Sequence, residues 1–235
     1  MQLTQEIKEL LTRIIKVARL MKIENVVIDQ ECIRGQVKEE GVMICHRANI
    51  PPLGFQGLGI SRIDTLYARL NLLGSDFEIE TVENSKGLIV KMLLSRGNTE
   101  VEFKCADPAI MPKAPRLIKD PIAFTFEMDE DTIALLSKAP SAVKGEALTF
   151  SGNRAGVIGK LSDIEGDMLQ HVVSETLIYT SESSREEFYH SYKNKILIPL
   201  LKECASDGKA TVNITDRGMI NLIVLGITVY FAPEL

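Results

Sequence analysis

With 235 residues, 45% of them hydrophobic and 25% charged, the chain can build one large domain or two ordinary ones, and its composition excludes a disordered polymer. A net charge of -5 excludes a protein that grips nucleic acid with its whole surface, while leaving room for a local basic track on an acidic body. No apolar run approaches the roughly 18 residues of a membrane span, and the charged, amphipathic start is unlike a signal peptide, so a cytoplasmic protein without membrane contact is expected.

Residues 3–22 carry the longest helical pattern. Leu3, Ile7, Leu10, Leu11, Ile14, Ala18 and Met21 recur at three- and four-residue steps and so share one face. Lys8, Lys16, Arg19 and Lys22 fall in a roughly 120° arc beside that face, with Glu6 and Glu9 outside it. A solvated face explains any one such helix taken alone.

Short strands follow over 26–28, 32–37 and 42–47, with a turn at Glu39-Glu40-Gly41. Pro51-Pro52 with Gly54, Gly57 and Gly59 reads as a loop, and Ser61 as the cap of a second helix over 62–73, stopped by Gly74. Ile63, Leu66, Tyr67, Leu70 and Leu73 are its apolar set. Strands over 77–82, 87–94 and 100–105 complete a first domain, 1–106. Four prolines within 107–121 forbid a helix or a central strand, so this stretch is an extended connector.

The pattern then restarts in a second domain, 122–235. A strand over 123–128 leads to a short helix over 129–138 closed by Pro140, then to strands over 147–151, 155–161, 168–173 and 177–180. A helix over 193–205 ends at Asp207-Gly208, and two strands close the chain over 210–215 and 220–232. The order helix, strands, helix, strands therefore occurs on both sides of the connector. Ile63, Leu66, Tyr67, Leu70 and Gly74 overlay Leu197, Leu200, Leu201, Cys204 and Gly208 at one constant offset, an internal-duplication signal. Arg62, Arg69, Lys138, Lys144, Lys195 and Lys202 give every helix region a basic side, which shifts the balance from solvation toward a common anion-facing surface.

No catalytic or metal centre emerges. Cys32, Cys45, Cys105 and Cys204 lack C-x-x-C spacing, and His46, His171 and His190 lack the spacing of a zinc site. The glycines of 54–59 have the wrong order for a dinucleotide loop, and Asp129-Glu130-Asp131 suits a helix start. Neither an enzyme nor a cofactor is expected.

The chain resembles a DNA polymerase sliding clamp of the PCNA type, and most of all the processivity clamps of tailed phages. The opening MQLTQEIKELLTRI is similar to phage clamps in starting with a helix. NTEVEFKCADP, running into the proline-rich connector, resembles the last strand of a PCNA first domain. SETLIYTS resembles the second-domain edge strand, and GITVYFAPEL the PCNA terminus. Departures are the short third helix, the proline-rich basic connector and the lack of a long glutamine-containing central loop.

The resemblance implies an α+β fold of two similar clamp domains, each with two helices on antiparallel sheets, and a homotrimeric ring around double-stranded DNA that holds a DNA polymerase and is opened by a clamp loader. It implies DNA-facing roles for Lys8, Lys16, Arg19, Lys22, Arg62, Arg69, Lys138, Lys144, Lys195 and Lys202. It implies a subunit seam at which strand 100–105 pairs with 175–181 of a neighbour, through Glu102, Phe103, Lys104, Leu177, Ile178 and Tyr179, with the domain's own core as the alternative for Phe103, Leu177 and Tyr179. Partner peptides would dock at Ile110, Met111, Leu117 and Ile118 of the connector and at Phe231, Ala232 and Pro233. Those same side chains could instead simply fasten the connector. The competing readings are a β-rich oligomeric structural or scaffold protein of a virus, and an enzyme whose site is assembled from distant residues.

Overall fold

The computed structural model describes residues 1–180, 186–204 and 208–234; Ser181, Ala205 and Asp207, which the sequence reading used, lie outside them. The chain divides into two compact units, Met1–Val37 with Met43–Leu117, and Lys38–Val42 with Ile118–Leu235. By this division the connector belongs to the first unit as far as Leu117, and the turn before residue 43 belongs to the second.

The first unit starts with α1 (Gln5–Leu20), whose N-cap Thr4 accepts a hydrogen bond from the Ile7 amide. Ile7, Leu10, Leu11, Ile14 and Ala18 are buried, as the periodicity requires, and each of the leucines and isoleucines contributes about 1.5–3 kcal/mol on leaving water. Next come β1 (Asn25–Asp29), β2 (Ile33–Val37), β3 (Val42–His46) and β4 (Gly57–Ser61). After α2 (Ile63–Leu73) the unit closes with β5 (Glu78–Glu83), β6 (Leu88–Arg96) and β7 (Thr99–Lys104). The strands lie in the order β3-β2-β1-β4-β6-β5, with β7 also paired to β6.

Of the expected glycine-bearing loop, residues 51–56 are irregular, but Gly57 and Gly59 lie in strand β4. It pairs antiparallel with β1 and, at Gly57 and Leu58, parallel with Leu88 and Ile89 of β6. A Cβ at Gly59 would collide with the Ala106 carbonyl and the Met111 sulfur, so the glycine is there for close backbone approach rather than for a turn. Ser61, expected as a helix cap, is the last residue of this strand; the N-cap is Arg62, in left-handed conformation at φ 61° and without a side-chain cap bond. Gly74 ends α2 as expected, at φ 80° with its N–H bonded to the Leu70 carbonyl.

The second unit contains β8 (Ile122–Asp129), α3 (Glu130–Ala142), β9 (Ala147–Asn153), β10 (Gly156–Ser162), β11 (Met168–Ser174), β12 (Ile178–Tyr179) and β13 (Phe188–Lys193). It ends with α4 (Asn194–Cys204), β14 (Lys209–Thr215), β15 (Ile220–Val224) and β16 (Ile227–Phe231). One sheet runs β11-β10-β9-β13 and the other strands run β12-β8-β14-β15-β16. Phe126, Phe150, Tyr192 and Phe231 link the sheets through ring contacts of 5.6, 6.1 and 6.0 Å between successive centroids. Strand β13 is absent from the sequence reading because Phe188-Tyr-His-Ser-Tyr lacks a clean apolar alternation. The single closing strand expected over 220–232 is a hairpin, β15 to β16, turned by Leu225 and Gly226 at φ 51° and 78°. Helix α3 continues through Pro140 to Ala142, since a proline in the last turn removes one bond there while the Val143 amide still reaches the Ala139 carbonyl.

The duplication is therefore complete in element order. The series α1, β1, β2, β3, β4, α2, β5, β6, β7 repeats as α3, β9, β10, β11 with β12, β13, α4, β14, β15, β16. Strand β8, which pairs with β14, has its counterpart in Met1–Leu3: Gln2 bridges Glu80 of β5, and the Leu3 amide reaches the Ile79 carbonyl. The helix starts at Ile63 and Asn194 shift the overlay of α2 on α4 by about one turn from the offset read off the glycines.

Candidate nucleic-acid interface

Within each unit the helices pack as a pair, α1 with α2 and α3 with α4. Their basic residues meet different fates. On the first pair, Arg19 forms an ion pair with Asp64 at 3.1 Å and its guanidinium lies 4.2 Å from the Tyr67 ring centroid. The hydrogen bond from Asn71, with the Arg19 and Lys16 charges nearby, lowers the Tyr67 phenol below its ordinary range. Lys8 is half-buried and donates to the Phe77 carbonyl at 3.3 Å. Lys16 is half-buried, and Lys22 is exposed at φ 56° just past α1.

Arg62, at the N-cap of α2, and Arg69 within the helix are both held against the protein. Arg69 donates to the Glu102 carbonyl at 2.6 Å and Arg62 to the Lys104 carbonyl at 3.3 Å. Both guanidiniums lie over Phe103, at 5.5 and 5.2 Å from its ring centroid. The second helix pair is different: Lys138, Lys144, Lys195 and Lys202 are all exposed, and among the described residues no hydrogen bond or ion pair holds their ammonium groups. The difference follows from chemistry. The planar, weakly hydrated arginine fork suits carbonyls and rings, while the lysines of the second pair keep their point charges in water; Lys8, on the Phe77 carbonyl, departs from that division. Asp64 and Asn71 are the residues that the sequence reading missed here, and it placed Tyr67 only in the apolar set of the helix; Arg19 and Asp64 stand 45 apart, so no local spacing announces the link.

At the expected seam, Glu102 and Lys104 are exposed on β7, and Phe103 is fully buried beneath the two arginines, in its own unit's core. On β12, Ile178 is 60% exposed and Tyr179 half-buried, as is Leu177 just before the strand. The Tyr179 ring meets Phe124 edge-on at 5.6 Å, and its hydroxyl donates to the Glu186 carbonyl.

Of the expected peptide-docking residues, the first unit holds Ile110, 81% exposed, Leu117, 50% exposed, and Met111, which is buried. Arg116 clips the connector to the unit through Glu31 at 2.7 Å and Asp29 at 3.4 Å, and Gln36 donates to the Lys113 carbonyl. In the second unit Ile118 is half-buried and Phe231 fully buried, with Ala232 and Pro233 partly exposed. The Ala232 amide bonds to the Gly41 carbonyl, and Lys193 pairs with Glu40 at 2.9 Å.

Burial pushes the Cys105 and Cys204 thiols up to about 12, which leaves them protonated and poorly nucleophilic near neutrality. No group of three or more His, Cys, Asp or Glu among the described residues could hold a metal ion. Among the described residues no helix is long and apolar enough to cross a membrane.

Among solved structures, the chain is similar to A. fulgidus PCNA, solved with the C-terminal region of FEN-1 bound, at 14% identity and a TM-score of 0.69 over 97% of this chain and 96% of that one. It is also similar to the PCNA2–PCNA3 complex from Sulfolobus tokodaii, at 12% identity and a TM-score of 0.64 over 96% of each chain. The chain has the PCNA sliding-clamp fold. No protein-family model and no curated sequence matches it. The matched region spans 97% of the chain and so takes in both units.

Proposed function

We propose that the protein is a sliding clamp without enzymatic activity: three copies close into a ring around double-stranded DNA and tether a DNA polymerase to it. The observation that carries this reading is a clamp fold over 97% of the chain combined with exposed lysines on a repeated helix pair. Lysines on inward-facing helices attract phosphates, which run unbroken along the duplex and carry no sequence information, so the ring stays mobile on DNA. Processivity then comes from topology rather than affinity, and the net charge of -5 suits this because it keeps overall attraction weak.

In this reading Lys22, Lys138, Lys144, Lys195 and Lys202 make the sliding contacts, Lys8 and Lys16 contribute from half-buried positions, and Arg19, Arg62 and Arg69 act mainly within the protein. Ring opening falls to a clamp loader. Polymerase peptides with apolar anchors suit the exposed Ile110 and Leu117 of the connector, in line with a solved PCNA that carries a bound segment of FEN-1.

The test is polymerase extension on primed circular DNA with a loader, at fixed polymerase. Added protein lengthens the products, and the triple variant Lys138→Glu, Lys195→Glu, Lys202→Glu shortens them toward the clamp-free length while remaining folded. Products of unchanged length with the wild-type protein would sink the proposal.

A further inference from the structure

The edge of β7 is already occupied. Its hairpin with β6 pairs Arg96 with Thr99, Leu94 with Val101 and Met92 with Phe103, and the Cys105 amide bonds to the Val90 carbonyl. In an antiparallel ladder of this register, residues 99, 101, 103 and 105 bond inward to β6, while the N–H and C=O of Glu100, Glu102 and Lys104 point outward. From Thr99 to Lys104 no described strand pairs with that outer edge. Such an edge invites pairing with another chain. The outward carbonyls of Glu102 and Lys104 are the two that accept hydrogen bonds from Arg69 and Arg62.

We propose that Arg62 and Arg69 form a latch on this edge, so that a second copy of this chain adding its strand to β7 has to displace them. The inference rests on the proposed ring, in which that copy supplies its β12. By the same parity, the Thr180 amide bonds inward to Ala123, so the backbone groups of Tyr179 and Leu177 face outward and are available to pair. A neighbour's N–H and an arginine N–H compete for one carbonyl direction. The latch holds through two further contacts, the stacking of both guanidiniums on Phe103, which keep the arginines in place without any neighbour. Subunit joining exchanges charge-assisted bonds for ladder bonds, which makes self-association weaker than the free edge alone would give and leaves one strand edge protected in the single subunit. In the assembled ring the displaced guanidiniums turn outward from the seam.

The test is sedimentation equilibrium of the wild type and of Arg62→Met with Arg69→Met, whose side chains still cover Phe103 but cannot donate, combined with hydrogen exchange of the peptide over 99–104. The proposal expects the double variant to assemble at about tenfold lower concentration, with 99–104 protected in the assembly. If the wild type assembles through 99–104 and the double variant assembles equally or more weakly, the latch is wrong and the seam stands. If neither protein assembles, or 99–104 still exchanges in the assembly, the seam reading fails and the latch with it. Should the double variant lose its cooperative thermal transition, Arg62→Leu with Arg69→Leu replaces it; this pair also lacks a donor for the two carbonyls, and the same outcomes decide.

Discussion

Gly59 and His46 show how much of this fold turns on single positions. At Gly59 the strand passes so close to Ala106 and Met111 that any side chain meets backbone, which cannot swing aside as a flexible side chain could. Gly59→Ala is expected to cost about 2–3 kcal/mol, read as a lower midpoint in chemical denaturation; wild-type stability would contradict the close approach. His46 is buried on β3, and burial, reinforced by the Arg13 charge, lowers its imidazole below the ordinary 6.5. The unfolded chain therefore takes up the proton first as pH falls. The stability tied to a neutral His46 is complete above about 6.5 and is lost as pH drops through that value toward the lowered folded one. The denaturation midpoint should fall between about pH 7.5 and 5.5, and His46→Gln should flatten that part of the profile.

At the scale of elements, local chemistry and tertiary context divide the credit. Helix α3 is announced by Asp129, whose carboxylate accepts from the Thr132 amide at 2.7 Å, a bond that also lowers its pKa. Asp129→Ala should cost about 1 kcal/mol in thermal or chemical unfolding, and Asp129→Asn should recover most of it. Helix α2 has no such signal, since Arg62 enters it in left-handed conformation, and Ser61 misled because a cap residue before an apolar run is also compatible with a strand's end. The helices and most strands were legible because burial imposes periods of 3.6 and 2 on the sequence. Strand β4 was not, because a strand flanked closely on both sides selects glycine, the residue that also marks turns. The proline of α3 similarly reads as a stop although the last turn tolerates it.

For the whole molecule, the repeated element order and the clamp fold support one mechanism, with the basic residues sorted by type. Arginines Arg19, Arg62 and Arg69 are held by Asp64, Tyr67, Phe103 and two strand carbonyls, while the lysines of α3 and α4 stand in solvent. Under the proposed clamp function, reversing Lys138, Lys195 and Lys202 should shorten extension products on primed DNA more than reversing Arg62 and Arg69 does. Replacing the two arginines should act first on self-association. The two sets are separable by comparing product length with assembly concentration for each variant.

The sequence by itself determined the amphipathic helices, the proline-rich connector, the duplicated order and the presence of a basic residue on every helix, because each of these is written in local spacing or composition. Only the tertiary structure decided which strand the glycines form, where the last hairpin turns, and what each basic side chain holds. Arg62 and Arg69 meet carbonyls 42 and 33 residues further along the chain, and a contact at that separation leaves no period in the sequence. The charge is encoded where the residue stands; its direction is settled by the strand that folding brings beside it.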